Sequence, residues 1–329
     1  MPANLTPQYR EAEKQFKEAK SLGERIACLE NMLRLIPKHK GTDHMQADLK
    51  RRLARLKKEQ EEGRGKGKKS GPAVKVDKAG AGQIALLGAP NAGKSQLLAA
   101  LTNAAVHVAD YPFTTQLPQP GMVKYEDVQI QLVDTPPITE DYFEPWHGDL
   151  VRRADAALLV SDLGDDNLLD GVETILNRLE TIKIVLARDL PAKEDPLRQF
   201  RRTAVIANKL DASGAEDRLE LLREFFGERF DIWPISALGG EGLATIPAYL
   251  FTFLRLIRVY TKEPGKKADL EQPYTLPEGS TILDLAIHVH REFGETLKSA
   301  RVWGSGKYDG IHVKRDHVLY DKDIVELHE

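Results

Sequence analysis

Residues 83–104, QIALLGAPNAGKSQLLAALTNA, decide the fold of this 329-residue chain. An apolar run typical of a buried strand ends at Gly88, and a helical pattern begins at Lys94. The loop between them has the spacing G-x-x-x-x-G-K-[ST], in which glycines let backbone N–H groups turn toward phosphate oxygens. We therefore predict a phosphate-binding loop, reinforced by the positive N-terminus of the helix. The alternative is a glycine turn that binds nothing.

Four side chains predict how the phosphates and a metal ion would be held. Lys94 is expected to reach the β- and γ-phosphates, and the Ser95 hydroxyl to ligate Mg²⁺. Asp134 ends a later apolar strand in VDTPP, where a metal-side aspartate belongs. Thr115 ends the stretch ADYPFTT and is expected to join the metal ion when a γ-phosphate is present, which makes its loop a switch. We therefore predict Lys94 and Thr115 as catalytic residues, and Ser95, Thr115 and Asp134 as metal ligands.

The base is predicted from VIANKLD at 205–211. Asp211 can accept two hydrogen bonds from N1–H and the amino group of guanine, which adenine cannot supply. ISAL at 235–238 fits a loop that supports the guanine ring. An ordinary turn formed by Asn and Asp is the alternative. The predicted nucleotide contacts are Gly88, Ala89, Pro90, Asn91, Ala92, Gly93, Lys94, Ser95, Gln96, Asn208, Lys209, Asp211, Ser236, Ala237 and Leu238.

Short apolar runs alternate with amphipathic helical stretches from residue 83 onward. The predicted strands are QIALLG, VKYEDVQIQLVDT, AALLVSD, TAVIANK and FDIWPIS, and the predicted helices cover 94–104, 169–182, 215–227 and 241–259. Such alternation predicts an α/β domain with a mainly parallel sheet and helices on both faces. YEDVQ predicts a hairpin that makes one strand antiparallel. A break at Pro264-Gly265 and Pro273 separates a smaller α+β module.

The N-terminal region predicts a helical arm at 1–63 and a flexible basic linker at 64–80. Thr6-Pro7 is a typical helix start, and Leu29, Leu33 and Ile36 have helical spacing. The single cysteine, Cys28, is expected to be a small buried apolar residue.

Charge is distributed unevenly along the chain. Residues 1–80 contain 20 Lys/Arg against 11 Asp/Glu, and residues 81–329 contain 27 against 39. This asymmetry predicts an anionic partner for the arm, with a solvated tether as the alternative for the linker lysines. No stretch approaches 18 consecutive apolar residues, and the N-terminus has no signal-peptide pattern, so a cytoplasmic location is expected.

GAPNAGKS, ADYPFTT, VDTP, NKLD and SAL, in this order, resemble a GTPase of the Obg superfamily. ADYPFTT is especially similar to Obg and to the developmentally regulated GTP-binding (DRG) proteins. The arm resembles the helical N-terminus of DRG proteins, and YTLPEG onward resembles a TGS domain, a ubiquitin-like β-grasp. Since 73 residues separate Asp134 from Asn208, a DRG-type inserted domain is absent. The resemblance implies a compact P-loop GTPase domain at 81–262 and a TGS domain at 268–329.

Three residues bear on hydrolysis. Pro137 stands where GTPases have a glycine whose N–H contacts the γ-phosphate, and proline has no N–H. Ile138 stands where Ras-like enzymes place a water-orienting glutamine, which isoleucine cannot replace. In related GTPases without the glutamine, an asparagine at the position of Asn91 accompanies K⁺; simple loop geometry is the alternative. Whether Pro137 and Ile138 abolish hydrolysis is left open by the sequence. His147 and the carboxylates of ITEDYFEP are nearby in the sequence, and a surface role is expected for them rather than catalysis.

The resemblance implies an Mg²⁺-dependent GTPase that converts GTP to GDP and phosphate. It would be a slow switch without a partner or K⁺, acting in translation on ribosomes or RNA. The alternative is a guanine-nucleotide-dependent scaffold with little or no hydrolysis, and an ATP-using relative is a third reading. Neither a membrane nor DNA is an expected partner.

The predicted TGS domain is acidic overall, which limits how it could contact RNA. Residues 268–329 contain 7 Lys/Arg against 12 Asp/Glu, so RNA contact there would require a local basic face. The candidates are Lys298, Arg301, Lys307, Lys314 and Arg315. Scattered solvating charges are the alternative.

Overall fold

A computed structural model gives the structure of the chain. It describes residues 8, 22–36, 49–50, 53, 76–102, 117–140, 142–193, 195–304 and 309–328. The chain divides into two units, Met1–Gly71 and Pro72–Glu329. Thr115, Lys307, the Thr6-Pro7 helix start and residues 64–75 of the predicted linker lie outside the described residues.

The first unit contains helix α1 (Leu22–Leu35). Its apolar positions form a small core in which Leu29, Met32, Ile36 and Leu49 are buried. The predicted helical spacing before Pro37 is confirmed, because Leu29 and Ile36 are buried in this core and Leu33 packs against it. Leu49 reaches the same core from beyond Pro37. Cys28 is half-buried rather than fully buried, since it lies beside the apolar stripe of the helix.

Seven strands form the larger sheet of the second unit, among the described residues. They are β1 (Gln83–Gly88), β2 (Gln119–Tyr125), β3 (Val128–Asp134), β4 (Ala156–Asp162), β5 (Ile184–Ala187), β6 (Gln199–Asn208) and β7 (Ile232–Pro234). The order is β2-β3-β1-β4-β6-β5, and β7 pairs with β6 beyond the stretch that β5 occupies. All pairs are parallel except the β2–β3 hairpin, as the sequence predicts. The α/β fold class is therefore confirmed.

Helices cover both faces of this sheet. They are α2 (Lys94–Leu101), α3 (Pro145–Arg153), α4 (Leu168–Thr181), α5 (Ala215–Phe226) and α6 (Ile246–Phe253). Residues of α3, α4 and α5 pack on one face, and residues of α2 and α6 pack on the other. Because β1 and β4 are buried on both faces, they read as continuous apolar runs without alternation.

A second sheet contains β8 (Leu256–Thr261), β9 (Tyr274–Pro277), β10 (Ser299–Trp303), β11 (Ile311–Val313) and β12 (Asp323–His328). Its order is β11-β10-β12-β8-β9, and helices α7 (Ile282–Val289) and α8 (Arg291–Thr296) belong to the same module. The predicted helix over 241–259 is wrong in its second half, because 256–261 forms strand β8. The sheet of the small module therefore begins before the predicted boundary at 262–268.

An ion-pair cluster joins the two sheets, and we call it the Arg258 junction. Arg258 lies on β8 and is 2% exposed, and its guanidinium contacts Glu126 at 2.5 Å, Asp127 at 2.9 Å and Asp321 at 2.7 Å. Glu126 and Asp127 form the turn between β2 and β3, and the Tyr260 hydroxyl also donates to Asp127. The junction therefore attaches the tip of the hairpin in the first sheet to the second sheet.

Candidate nucleotide site

The loop between β1 and α2 has the backbone that the motif requires. Asn91 has φ 59° and Gly93 has φ 89°, both in the left-handed region, and α2 begins at the next residue, Lys94. A Cβ on Gly93 would lie 2.2 Å from Nδ2 of Asn208, so a side chain at this position would displace Asn208. The loop thus turns sharply and presents the N-terminus of α2 at the carboxyl end of β1.

Lys94 lies inside this loop and is buried. Its Nζ donates to the carbonyl oxygens of Gly88 and Ala89, each at 3.1 Å. Burial lowers the pKa of Lys94 to about 8, although the charge of Asp134 acts in the opposite direction. A cation held in a desolvated loop gains strongly from an anion placed against it.

Ser95 and Asp134 meet at the base of the loop. Ser95 Oγ donates to Oδ2 of Asp134 at 2.5 Å, and Oδ1 is buried without a hydrogen-bond partner among the described residues. Burial raises the pKa of the Asp134 carboxyl, against the opposing effects of the Ser95 hydroxyl and Lys94. A desolvated carboxylate with a free oxygen beside a hydroxyl is a donor set that suits Mg²⁺. The structure brings together two of the three predicted ligands, and Thr115 lies outside the described residues.

Asn208 connects the phosphate loop to the loop at 235–238 that is predicted to support the base, which we call the base loop. Its Nδ2 donates to the Ala92 carbonyl at 3.0 Å, and its Oδ1 accepts from the Ala237 N–H at 2.9 Å. Asn208 ends β6 and is 1% exposed, so both hydrogen bonds are shielded from water. The two loops are therefore held in a fixed relative position.

The remaining predicted base contacts lie around this connection. Asp211 Oδ1 accepts from Ser236 Oγ at 2.5 Å, which orients the carboxylate, and Ser236 Oγ in turn accepts from the Gly239 N–H. Lys209 has φ 66° and pairs with Asp162 at 2.6 Å. Leu238 is 80% exposed at the edge of the base loop. Asp211 is likewise exposed.

Gln96, Pro90 and Ala89 occupy the remaining positions of the predicted set. Ala89 and Pro90 are half-buried at the start of the loop, and Gln96 is half-buried in the first turn of α2. The Ala92 N–H donates to the Ala89 carbonyl, which closes the turn within the loop.

The segment at 135–138 is packed against the core. Thr135 Oγ1 donates to the Leu86 carbonyl at 2.7 Å, and the Ile138 N–H donates to the Gly88 carbonyl at 3.3 Å. Pro136 and Pro137 are buried. Ile138 is 1% exposed and belongs to the core between the sheet and helices α3 to α5. Its side chain therefore serves packing at this position.

His147, which sequence reasoning assigned to the surface, is 0% exposed. Its Nε2 lies 3.3 Å from the Pro136 carbonyl oxygen, and its Nδ1 accepts from the Glu144 N–H at 3.1 Å. The surface assignment is wrong because the ring lies on Trp146 and Phe143, at centroid distances of 4.1 and 5.4 Å. A local signal was present in the sequence: His147 is the third residue of α3, which begins at Pro145, and a side chain at this position can cap the backbone of the residue before the helix.

Two parts of the chain match known domain families. Residues 83–189 match the family described as 50S ribosome-binding GTPase, and residues 257–329 match the TGS domain. The second match begins at β8, in agreement with the sheet boundary. The chain thus contains a GTPase domain that is followed by a TGS domain.

Similar proteins cover nearly the whole chain. A GTP-binding protein of Methanocaldococcus jannaschii is 29% identical, and 92% of each chain is covered. Developmentally-regulated GTP-binding protein 1 of Xenopus laevis is 28% identical over 92% of this chain and 98% of its own. The alignment with the archaeal protein has 365 positions, more than the 329 residues here, so that relative carries residues that this chain lacks.

Among solved structures, the YchF GTPase of Schizosaccharomyces pombe matches with a TM-score of 0.52 and 14% identity. The match covers 77% of this chain and 99% of that one, and it supports the fold alone. Within the described residues, no helix is both long enough and apolar enough to cross a membrane.

Proposed function

We propose that this chain, a DRG-like P-loop GTPase with a C-terminal TGS domain, hydrolyses GTP slowly on its own and acts as a molecular switch on ribosomes. The observation that carries the proposal is the arrangement of Lys94, Ser95 and Asp134 at one end of β1. They provide a desolvated cation, a hydroxyl and a buried carboxylate oxygen free of hydrogen bonds among the described residues. These groups suit a triphosphate with its metal ion.

The residues of the site divide the work of binding and positioning. The backbone N–H groups of residues 91–95 and the Lys94 ammonium would hold the β- and γ-phosphates. Asn208 keeps the base loop at a fixed distance from the phosphate loop, and Asp211 would accept the N1–H and amino group of guanine. The attacking water forms a bond to the γ-phosphorus while the bond to the β–γ bridging oxygen breaks. GDP leaves, and the water proton passes to the released phosphate.

Ser95 and Asp134 would hold Mg²⁺, the serine directly and the aspartate in support, and Thr115 is the proposed third group. When bound, the ion neutralises charge that develops on the phosphate oxygens. Our proposal for Thr115 rests on its position in ADYPFTT alone.

K⁺ is the proposed substitute for the missing water-orienting glutamine. Because the apolar side chain of Ile138 packs in the core, this position provides no polar group for the γ-phosphate. Asn91 is exposed in the phosphate loop, where a side-chain oxygen can reach a cation beside the phosphates. A monovalent cation there would offset transition-state charge, as an arginine finger does elsewhere.

Single-turnover hydrolysis of GTP in KCl and in NaCl tests this proposal. We expect faster hydrolysis in KCl, and we expect Asn91→Gly to remove the difference while keeping GDP affinity. Glycine is the matched replacement because it tolerates the φ of 59° at this position. Equal rates in the two salts would refute the role of K⁺. Tight binding without turnover, with and without ribosomes, would favour the scaffold alternative.

Base recognition is tested by Asp211→Asn. Because an amide replaces one acceptor by a donor, the variant should lose GTP affinity and gain affinity for xanthosine triphosphate. Ser236→Ala is the companion variant, since it removes the hydroxyl that orients Asp211 and leaves the carboxylate. Unchanged GTP affinity in Asp211→Asn would contradict guanine recognition.

The ribosome is the proposed partner of the N-terminal arm and its basic linker. Support comes from the 50S ribosome-binding family match and from the six Lys/Arg against one Asp in residues 64–78. The full chain carrying Lys66→Gln, Lys68→Gln and Lys69→Gln should co-sediment less with ribosomes. If all three lysines contact phosphates, the slope of the logarithm of the binding constant against the logarithm of the salt concentration should become less negative by about 2. An unchanged slope would exclude the linker from the contact.

A further inference from the structure

The backbone at 135–138, directly after Asp134, is anchored at both ends. Thr135 Oγ1 donates to the Leu86 carbonyl on β1, and the Ile138 N–H donates to the Gly88 carbonyl in the phosphate loop. The two residues between them are prolines, which fix φ and carry no N–H to exchange partners. This leaves the Pro136 carbonyl as a polar group in the middle of a buried segment.

His147 supplies the partner for that carbonyl. Its Nδ1 accepts from the Glu144 N–H, and the Glu144 carbonyl accepts from the His147 N–H at 3.0 Å. Nδ1 also lies 3.1 Å from the Glu144 carbonyl oxygen, but that carbonyl already accepts the His147 N–H. We therefore assign the ring proton to Nε2, because this tautomer satisfies both the Glu144 N–H and the Pro136 carbonyl, which lies 3.3 Å from Nε2. Burial lowers the pKa of His147 and outweighs the hydrogen bonds to the Glu144 and Pro136 carbonyls, which favour the charged ring, so the neutral ring predominates at pH 7.

Neighbouring aromatic rings restrict the orientation of the His147 ring. It stacks on Trp146 with an interplanar angle of 14° and on Phe143 with an angle of 21°, and Tyr142 meets it edge-on. Moving 135–138 outward would expose Ile138 and leave the Pro136 carbonyl and His147 Nε2 without partners. In most GTPases a glycine N–H in this segment contacts the γ-phosphate, and here Pro137 cannot provide it.

We propose that His147 is a positioning residue that holds 135–138 in one conformation in both nucleotide states, so that this segment is a fixed wall of the site. The inference rests on the proposed function. By holding this segment, His147 also keeps the proposed metal-binding carboxylate of Asp134 in the same position whether GTP or GDP is bound. The γ-phosphate is then sensed outside 135–138.

Amide hydrogen exchange at Ile138 tests the proposal in the full chain. With GDP or with a non-hydrolysable GTP analogue, its rate should be equal within error. His147→Phe keeps the stacked ring but removes both hydrogen bonds, and exchange should accelerate about tenfold or more. His147→Gln retains an N–H donor and should recover part of the protection. Trp146→Phe, which alters the same aromatic cluster, should leave the Ile138 rate near that of the wild type.

A second measurement needs no variant. The ¹⁵N spectrum of the His147 ring should show a protonated Nε2 and an unprotonated Nδ1. The Nδ1–H tautomer, or Ile138 exchange that is about tenfold faster with GDP than with the analogue, would overturn the proposal. Absence of guanine-nucleotide binding would instead refute the proposed function. In that event, comparison of the nucleotide-free wild type with His147→Phe still decides whether His147 holds the segment.

Discussion

Replacement of Arg258 by methionine should destabilise the second unit by about 3 kcal/mol, because it breaks a buried ion-pair cluster. The guanidinium is almost fully buried and lies over Phe251, 4.9 Å from the ring centroid, while three carboxylates surround it. Methionine retains the apolar stem but leaves those carboxylates facing one another. Since Glu126 and Asp321 are partly exposed, water offsets some of the loss, and the lower end of the usual range for a broken buried pair applies.

The pH dependence of this variant follows from the same contacts. Hydrogen bonds from Arg258 hold the pKa of Glu126 below its ordinary value, and they outweigh burial to lower the pKa of Asp321 as well. Groups with a depressed folded-state pKa contribute stability above their unfolded pKa of about 4, and this contribution is lost as the pH falls through the folded value. The wild type should therefore lose stability below about pH 4 more steeply than the variant.

Thermal unfolding of the GDP-bound chain at pH 7 and at lower pH is the assay. A loss of 3 kcal/mol corresponds to a decrease in Tm of roughly 6–12 °C for a unit of this size. Arg255→Met is the matched control, since Arg255 forms an exposed pair with Asp189 at 3.2 Å and should change Tm by about 2 °C or less. Equal Tm values for Arg258→Met and the wild type, with the same pH profile, would refute the reasoning.

Three further predictions concern the nucleotide site. Asn208→Ala leaves the Ala92 carbonyl and the Ala237 N–H without their buried partner, and affinity for fluorescent GDP should fall about tenfold or more; a change below about threefold would contradict this. Because the pKa of Lys94 is about 8 and bound phosphates favour its cation, GDP binding should take up a proton near pH 8–9. Calorimetry in two buffers of different ionisation enthalpy measures that uptake, and equal heats would exclude it. Gly93→Ala should abolish GDP binding, since the added Cβ lies 2.2 Å from Nδ2 of Asn208; retained affinity would show that the loop can rearrange.

The larger fold and the centre of the site were accessible from the sequence because their signals are local. A buried strand, a glycine loop and a helix follow one another within residues 83–101, and this order places Lys94 and Ser95 without any tertiary information. Asp134 and Asn208 each end an apolar strand, and carboxyl ends of parallel strands meet at the same edge of a sheet. The parallel order of the strands therefore predicts that Asp134 and Asn208 lie at the same edge of the sheet.

Elements without a distinct local pattern were missed. Residues 246–261 are mostly apolar, with Arg255 and Arg258 as the charged exceptions, so periodicity does not separate helix α6 from strand β8. The strand is decided by pairing with β12 far along the chain. Strand β5 has four residues, IVLA, and pairs with the start of β6, QFRR, and neither sequence alternates between apolar and polar residues. The burial of His147 depends on three neighbouring aromatic rings and on a backbone carbonyl, and a sequence does not show which polar side chain will meet such a partner.

The Arg258 junction has a consequence for how a partner would be recognised. Strand β3 has Asp134, the proposed metal-side carboxylate, at one end, and the hairpin turn at its other end is attached to the second sheet. The GTPase and TGS domains are therefore presented to a partner as a single preorganised surface. A partner that binds both domains at once would therefore not lose binding free energy to aligning one domain with the other. The binding free energy of a weak contact on the TGS domain would then add almost in full to that of a contact near the nucleotide.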